Sequence, residues 1–96
     1  MKADYDSEGD TLEIELEEID HLDFGDDSIP GTIVHRVDGR PVLIDVLSAR
    51  EHFGERLRAV ADAYQFDGEA LVAAGHAAIS APDREVTLDF AARHAA

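Results

Sequence analysis

The chain has 96 residues, 45% hydrophobic and 31% charged, with 22 acids against 8 lysines and arginines and a formal net charge of −14. That length makes one domain with a small core, and the apolar share excludes wholesale disorder. The absence of cysteine excludes disulfide staples, thiolate zinc sites and cysteine nucleophiles, and the acidity argues against direct binding of nucleic acid.

The charge is unevenly placed. Twelve of the acids fall in the first 27 residues, opposed by Lys2 alone, whereas the remaining 69 residues carry ten acids and seven arginines. Such a block must face water or a cationic partner, because like charges are not buried together cheaply. Salt adaptation would spread acid over the whole surface, while here one third of the chain holds most of it. No apolar run follows Met1-Lys2-Ala3-Asp4 and no segment approaches membrane-spanning length, so a soluble cytoplasmic protein with no membrane contact is expected.

Residues 2–6 and 11–17 read as a hairpin around Ser7-Glu8-Gly9-Asp10, with Asp6 bonding forward into the turn. Pairing across it sets Tyr5 opposite Leu12 and Ala3 opposite Ile14 on an apolar face that Leu16 extends. The other face sets Lys2 opposite Glu15 and Asp4 opposite Glu13. Residues 18–31 read as a loop with Leu22 and Phe24 among acids.

A second hairpin, 32–37 and 40–47, turns at Asp38-Gly39, a type I′ pair. The simplest register sets Ile33 opposite Ile44 and His35 opposite Val42 on one face. The opposite face then has Val34 against Leu43, with Leu47, Arg36 and Asp45. Pro41 has no N–H for a central ladder, so the strand is expected to be bulged or edge-facing there.

Ser48-Ala49-Arg50-Glu51 has the spacing of a capping box and opens a helix with the stripe Ala49, Phe53, Leu57, Val60 and Tyr64. Gly54 marks a point where this helix would kink or break. Asp67 caps a second helix to about residue 80, with Phe66 and Leu71 as a hydrophobic staple and Gly75 permitting close approach. After Pro82-Asp83, residues 85–90 alternate as a closing strand with Val86, Leu88 and Phe90 on one side, and 91–96 read as a frayed tail.

The segments Tyr5-Asp6-Ser7-Glu8-Gly9-Asp10-Thr11-Leu12-Glu13-Ile14 and Asp38-Gly39-Arg40-Pro41-Val42-Leu43-Ile44-Asp45-Val46-Leu47-Ser48-Ala49 resemble the small bacterial family catalogued as domain of unknown function 2283. The likeness spans roughly the first 50 residues. Leu43 stands where the family usually has glycine, and His35-Arg36-Val37 replace its more acidic run. The family has no assigned activity. Some members are encoded beside small RNase-like toxin candidates, so the resemblance implies an antitoxin role.

No constellation for catalysis emerges. A glycosidase-like pair from Asp4, Asp6, Glu13 and Glu15 would need a desolvated acid in a concave site, which a flat strand face does not supply. Asp20, Asp23, Asp26 and Asp27 lack calcium-loop spacing, and the five histidines lack zinc-ligand spacing. His35 falls on the apolar face and reads as a core or rim residue. The serines lack a nucleophile-elbow setting, and the second helix has no Arg, Lys, Asn or Gln to read DNA.

The expectation is therefore a single α+β domain over residues 1–90. Residues 1–48 form an antiparallel β-meander of two hairpins, residues 49–81 an αα-hairpin on one face, and residues 85–90 a fifth strand. The expected role is a non-enzymatic protein-interaction module without cofactor or metal, meeting a basic partner through Asp4, Glu13, Glu15, Glu17, Asp20, Leu22, Asp23, Phe24, Asp26 and Asp27. Val34, Leu43 and Leu47 are expected to form a homodimer face. The alternative is a structural homodimer whose acidity only confers solubility or salt tolerance.

Overall fold

The computed structural model describes residues 1–89 other than the side chain of Phe24. Phe90 and the tail 91–96, expected as strand end and frayed terminus, lie outside the described residues. The chain forms β1 (Lys2–Asp6), β2 (Thr11–Glu15), β3 (Phe24–Asp26), β4 (Thr32–Val37), β5 (Arg40–Leu47), α1 (Ala49–Tyr64), α2 (Gly68–Ser80) and β6 (Glu85–Thr87). All strands join one antiparallel sheet in the order β3-β4-β5-β2-β1-β6. The α+β class, the helical pair and the closing strand match the sequence reading. The loop expected over 18–31 contains the additional short strand β3.

The first hairpin has the register its alternation predicts, with Tyr5 opposite Leu12 and Asp4 opposite Glu13. The second hairpin turns as expected on Asp38 and Gly39, both at positive φ (53° and 78°). Its register departs from expectation. A bulge at His35/Arg36 pairs Arg36 with Pro41 and then His35 with Leu43, leaving Val42 as the extra residue. The lost N–H of Pro41 makes this the cheap place to break the ladder, and the Val42 carbonyl is used instead by Leu16 N–H at 2.8 Å. β4 is thereby turned over relative to the simple register: Val34 meets Ile44 on the inner face, and His35 and Ile33 point outward.

Both helices lie on the inner face, over Ala3, Tyr5, Leu12, Ile14, Val34, Ile44 and Val46. α2 can sit close to the sheet because Gly75 has no side chain. A Cβ there would lie 2.8 Å from Phe53 Cδ2 and 3.1 Å from Leu12 Cδ2. α1 runs unbroken through Gly54, where no neighbouring atom lies within 4 Å of a would-be Cβ.

The two helix starts differ. Asp67 accepts from the Glu69 and Ala70 amides at 3.0 and 3.3 Å, as a capping aspartate should. The capping box expected at Ser48 does not form. Ser48 is left-handed (φ 50°) and makes no side-chain cap bond. Asp10, from the first hairpin turn, takes its place: its carbonyl accepts from Ala49 N–H at 3.0 Å and its carboxylate from Arg50 N–H at 2.9 Å. Those bonds, the Arg50 amide first and then the Tyr5 hydroxyl at 2.7 Å, hold the Asp10 carboxyl below its ordinary value. Asp67→Ala should therefore cost about 1 kcal/mol, whereas Ser48→Ala should stay within about 0.5 kcal/mol of the parent. Chemical denaturation of the two variants checks the contrast.

Candidate functional site

The outer face of the sheet is where the acidic first third and the fold meet. Period-2 alternation sends Lys2, Asp4 and Asp6 of β1 and Glu13 and Glu15 of β2 to the side opposite the helices. Pairing then adds acids from distant parts of the chain. Asp4 lies opposite Glu85 on β6 and Glu13 on β2, and Glu13 lies opposite Asp45 on β5. The result is an unbroken cross-strand ladder, Glu85–Asp4–Glu13–Asp45, spanning about 14 Å at the usual spacing between strands. Directly opposed like charges destabilise a sheet, so the row is a local electrostatic cost.

Two basic side chains reach the ends of the row. Lys2 Nζ lies 3.9 Å from Glu85, with both side chains about half exposed. At the other end His35 Nε2 lies 2.8 Å from Asp45 Oδ2, each side chain 21% exposed. Glu13, in the middle, stands between Asp4 on β1 and Asp45 on β5. Partial desolvation raises its carboxyl above the ordinary value, and the charges of Asp45, Asp4 and Glu15 push it further in the same direction. A shallow hollow of about 30 Å³ beside it is lined by Lys2, Asp4, Glu13, Glu15 and Glu85.

The residues expected to meet a partner are thus only partly brought together. Asp4, Glu13 and Glu15 share the outer face. Glu17 is instead engaged by a forked contact from Arg40, whose Nε and Nη2 donate to its carboxylate at 2.8 to 3.1 Å. Asp23 accepts from Asp38 N–H at 3.0 Å, buttressing the second turn. Asp26 accepts from the Tyr64 hydroxyl at 2.6 Å and lies 3.7 Å from Arg36, tying β3 to α1. The Tyr64 and Ser28 bonds hold the Asp26 carboxyl below its ordinary value. Asp20, Leu22 and Asp27 are exposed in the connecting segments, and Phe24 begins β3 opposite Arg36.

The apolar face expected from Val34, Leu43 and Leu47 does not form. Val34 is 1% exposed beneath the helices because the bulge turned it inward. Leu43 is on the outer side but 8% exposed, clustered with Val37 and Val42 under Ile19. Leu47 alone of the three is open to solvent, at 44%. The bulge also corrects His35, expected on the apolar face and found outside on Asp45.

Asp45 and Glu85 are the functional candidates that residue-by-residue reading missed. Asp45 joins the row through the pairing of β5 with β2, and the bulge at Pro41 only brings His35 out beside it. Nothing local signals Glu85, which reaches the ladder only because β6 returns beside β1. Among the described residues no group of three or more His, Asp or Glu side chains is arranged to hold a metal ion, and no helix is long and apolar enough to cross a membrane. Compared with protein-family models, with curated proteins and with solved structures, the chain finds no match in any of the three.

Proposed function

We propose that this protein is a non-enzymatic interaction module whose outer sheet face receives a basic protein segment. The observation that carries the reading is the Glu85–Asp4–Glu13–Asp45 ladder on the face opposite both helices. A partner presenting arginine or lysine to that row would relieve its repulsion on binding, so association would be fast, charge-selective and strongly salt-dependent. The flatness of the face disfavours catalysis, because none of these acids sits in a deep water-excluding cleft. The sharper form, neutralisation of a small basic RNase, draws on the likeness of residues 5–14 and 38–49 to the family named above.

A synthetic deca-arginine peptide is a direct probe. Glu13→Lys with Glu15→Lys should weaken its binding at least tenfold at 50 mM salt and flatten the salt dependence, because a tenfold change needs only about 1.4 kcal/mol. Glu51→Lys with Glu55→Lys on α1 makes the same change in net charge away from this face, and should alter binding little. Equal losses from both doubles, measured by calorimetry, would show a bulk-charge effect and sink the assignment of the face.

A further inference from the structure

We propose that the basic segment docks as an extra antiparallel strand along β6, its cationic side chains continuing the acidic row outward from Glu85. This deepens the docking reading and rests on it for the chemistry of the partner. β6 ends the sheet order among the described residues. Its pairing with β1 determines which backbone groups face the open side. Met1 and Leu88 exchange both bonds: the Leu88 N–H donates to the Met1 carbonyl at 2.8 Å, and the Met1 amino group to the Leu88 carbonyl at 3.3 Å. Bonded pairs recur at every second residue of an antiparallel ladder, so Ala3 and Val86 form the next one. The N–H and C=O groups of Glu85 and Thr87 therefore point away from β1, about 7 Å apart along the edge.

Alternation also sorts the side chains. Glu85 and Thr87 stand on the outer face, level with Asp4 and Lys2, and Val86 stands on the inner face level with Ala3. Met1 and Leu88, both half-buried against the core, extend that apolar inner rim. A strand pairing here sets its residues opposite Glu85 and Thr87 on the acidic side. The residue between them falls beside Val86 on the apolar side. The fitting partner thus alternates lysine or arginine with an aliphatic residue. Lys2, at 3.9 Å, leaves the Glu85 side chain 56% exposed and open to a second cation.

Charge selects this edge and this occupant. β3, at the far edge, places Gly25 on the outer face opposite His35, so a glycine rather than an acid ends the strand row there. A second copy added across β6 would continue the Glu85–Asp4–Glu13–Asp45 ladder with an identical acidic row, each chain carrying a net charge of −14. Opposed like charges destabilise a sheet. The acids that invite a cationic strand therefore guard the edge against the chain's own copies.

A short peptide alternating lysine with valine, titrated into the intact protein and followed by NMR, is the probe. Hydrogen exchange at the Glu85 and Thr87 amides should slow about tenfold when the peptide is in about tenfold excess over its Kd. N-methylation of the lysine amides, which face β6 in this register, should weaken binding about tenfold. N-methylation of the valine amides, which face away, should change it less than about threefold. Glu85→Lys should weaken binding of the unmodified peptide about tenfold. Equal losses from the two methylated peptides, unchanged exchange at Glu85 and Thr87, or unchanged binding by Glu85→Lys each overturn the proposal. Protection of those amides that grows with protein concentration in the absence of peptide overturns the choice of occupant in favour of a second copy. If strand addition fails while deca-arginine binds the face as expected above, the docking reading stands. If strand addition succeeds while Glu13→Lys with Glu15→Lys leaves deca-arginine binding unchanged, the face assignment fails and the edge stands.

Discussion

Leu12→Ala is expected to lower stability by about 3 kcal/mol, the middle of the range for emptying a buried leucine site. Leu12, the second residue of β2, is fully buried in the core shared by the sheet and both helices. Its Cδ2 would be 3.1 Å from a Cβ at Gly75, and Leu57 Cδ1 lies at 3.0 Å from the same point. Truncation removes the contact α2 was brought close to make, and Gly75 has no side chain with which to fill the gap. The surrounding sheet registers are locked by neighbouring strands, so collapse into the cavity is limited. For a domain of this size the melting temperature should fall by roughly 12–24 °C. A thermal melt followed by circular dichroism decides it; a fall under about 4 °C would mean that the helix–sheet junction is looser than described.

Gly31→Ala is expected to cost about 2–3 kcal/mol, combining a backbone penalty of about 1–2 kcal/mol with a lost hydrogen bond of about 1 kcal/mol. Gly31 has φ 71°, which an L-residue adopts only with strain. An added Cβ would also land on the guanidinium of Arg56, which donates through Nη1 to the Leu47 carbonyl. Displacing Arg56 would leave that carbonyl at the end of β5 without this donor. Gly39 supplies the control. It has φ 78° but nothing within 4 Å of a Cβ, so Gly39→Ala should show only the backbone part, about 1–2 kcal/mol. Denaturant midpoints of the two variants separate steric displacement from conformational strain, and equal losses would remove the role given to Arg56.

Much of the fold is legible in short stretches of chain. The alternation in Leu12-Glu13-Ile14-Glu15 determines both the strand and the face each residue takes, because side chains on a strand alternate with period two. Asp38-Gly39 determines a turn because positive φ is needed at both positions. Asp67 beside Phe66 determines the start of α2, since cap and staple act within one helical turn. These signals are local, and a sequence carries local signals directly.

The Ser48 motif shows the limit of that reasoning. Its spacing suits a capping box, yet Asp10 wins the helix start from 40 residues away because the hairpin turn lands there. Spacing along the chain cannot report a competitor brought in by the fold.

The concentration of acid in the first third was set by sequence alone, and so was the outward placing of Asp4, Glu13 and Glu15. Tertiary structure decided which of those acids act together. Arg40 engages Glu17, and Tyr64 takes Asp26. The bulge beside Pro41 turned His35 out onto Asp45 and Val34 into the core, since slipping a strand by one residue exchanges its faces. Strand order then set Asp45 and Glu85 beside Glu13 and Asp4. A cross-strand row is made of residues far apart in sequence, so only the pairing of strands could assemble it.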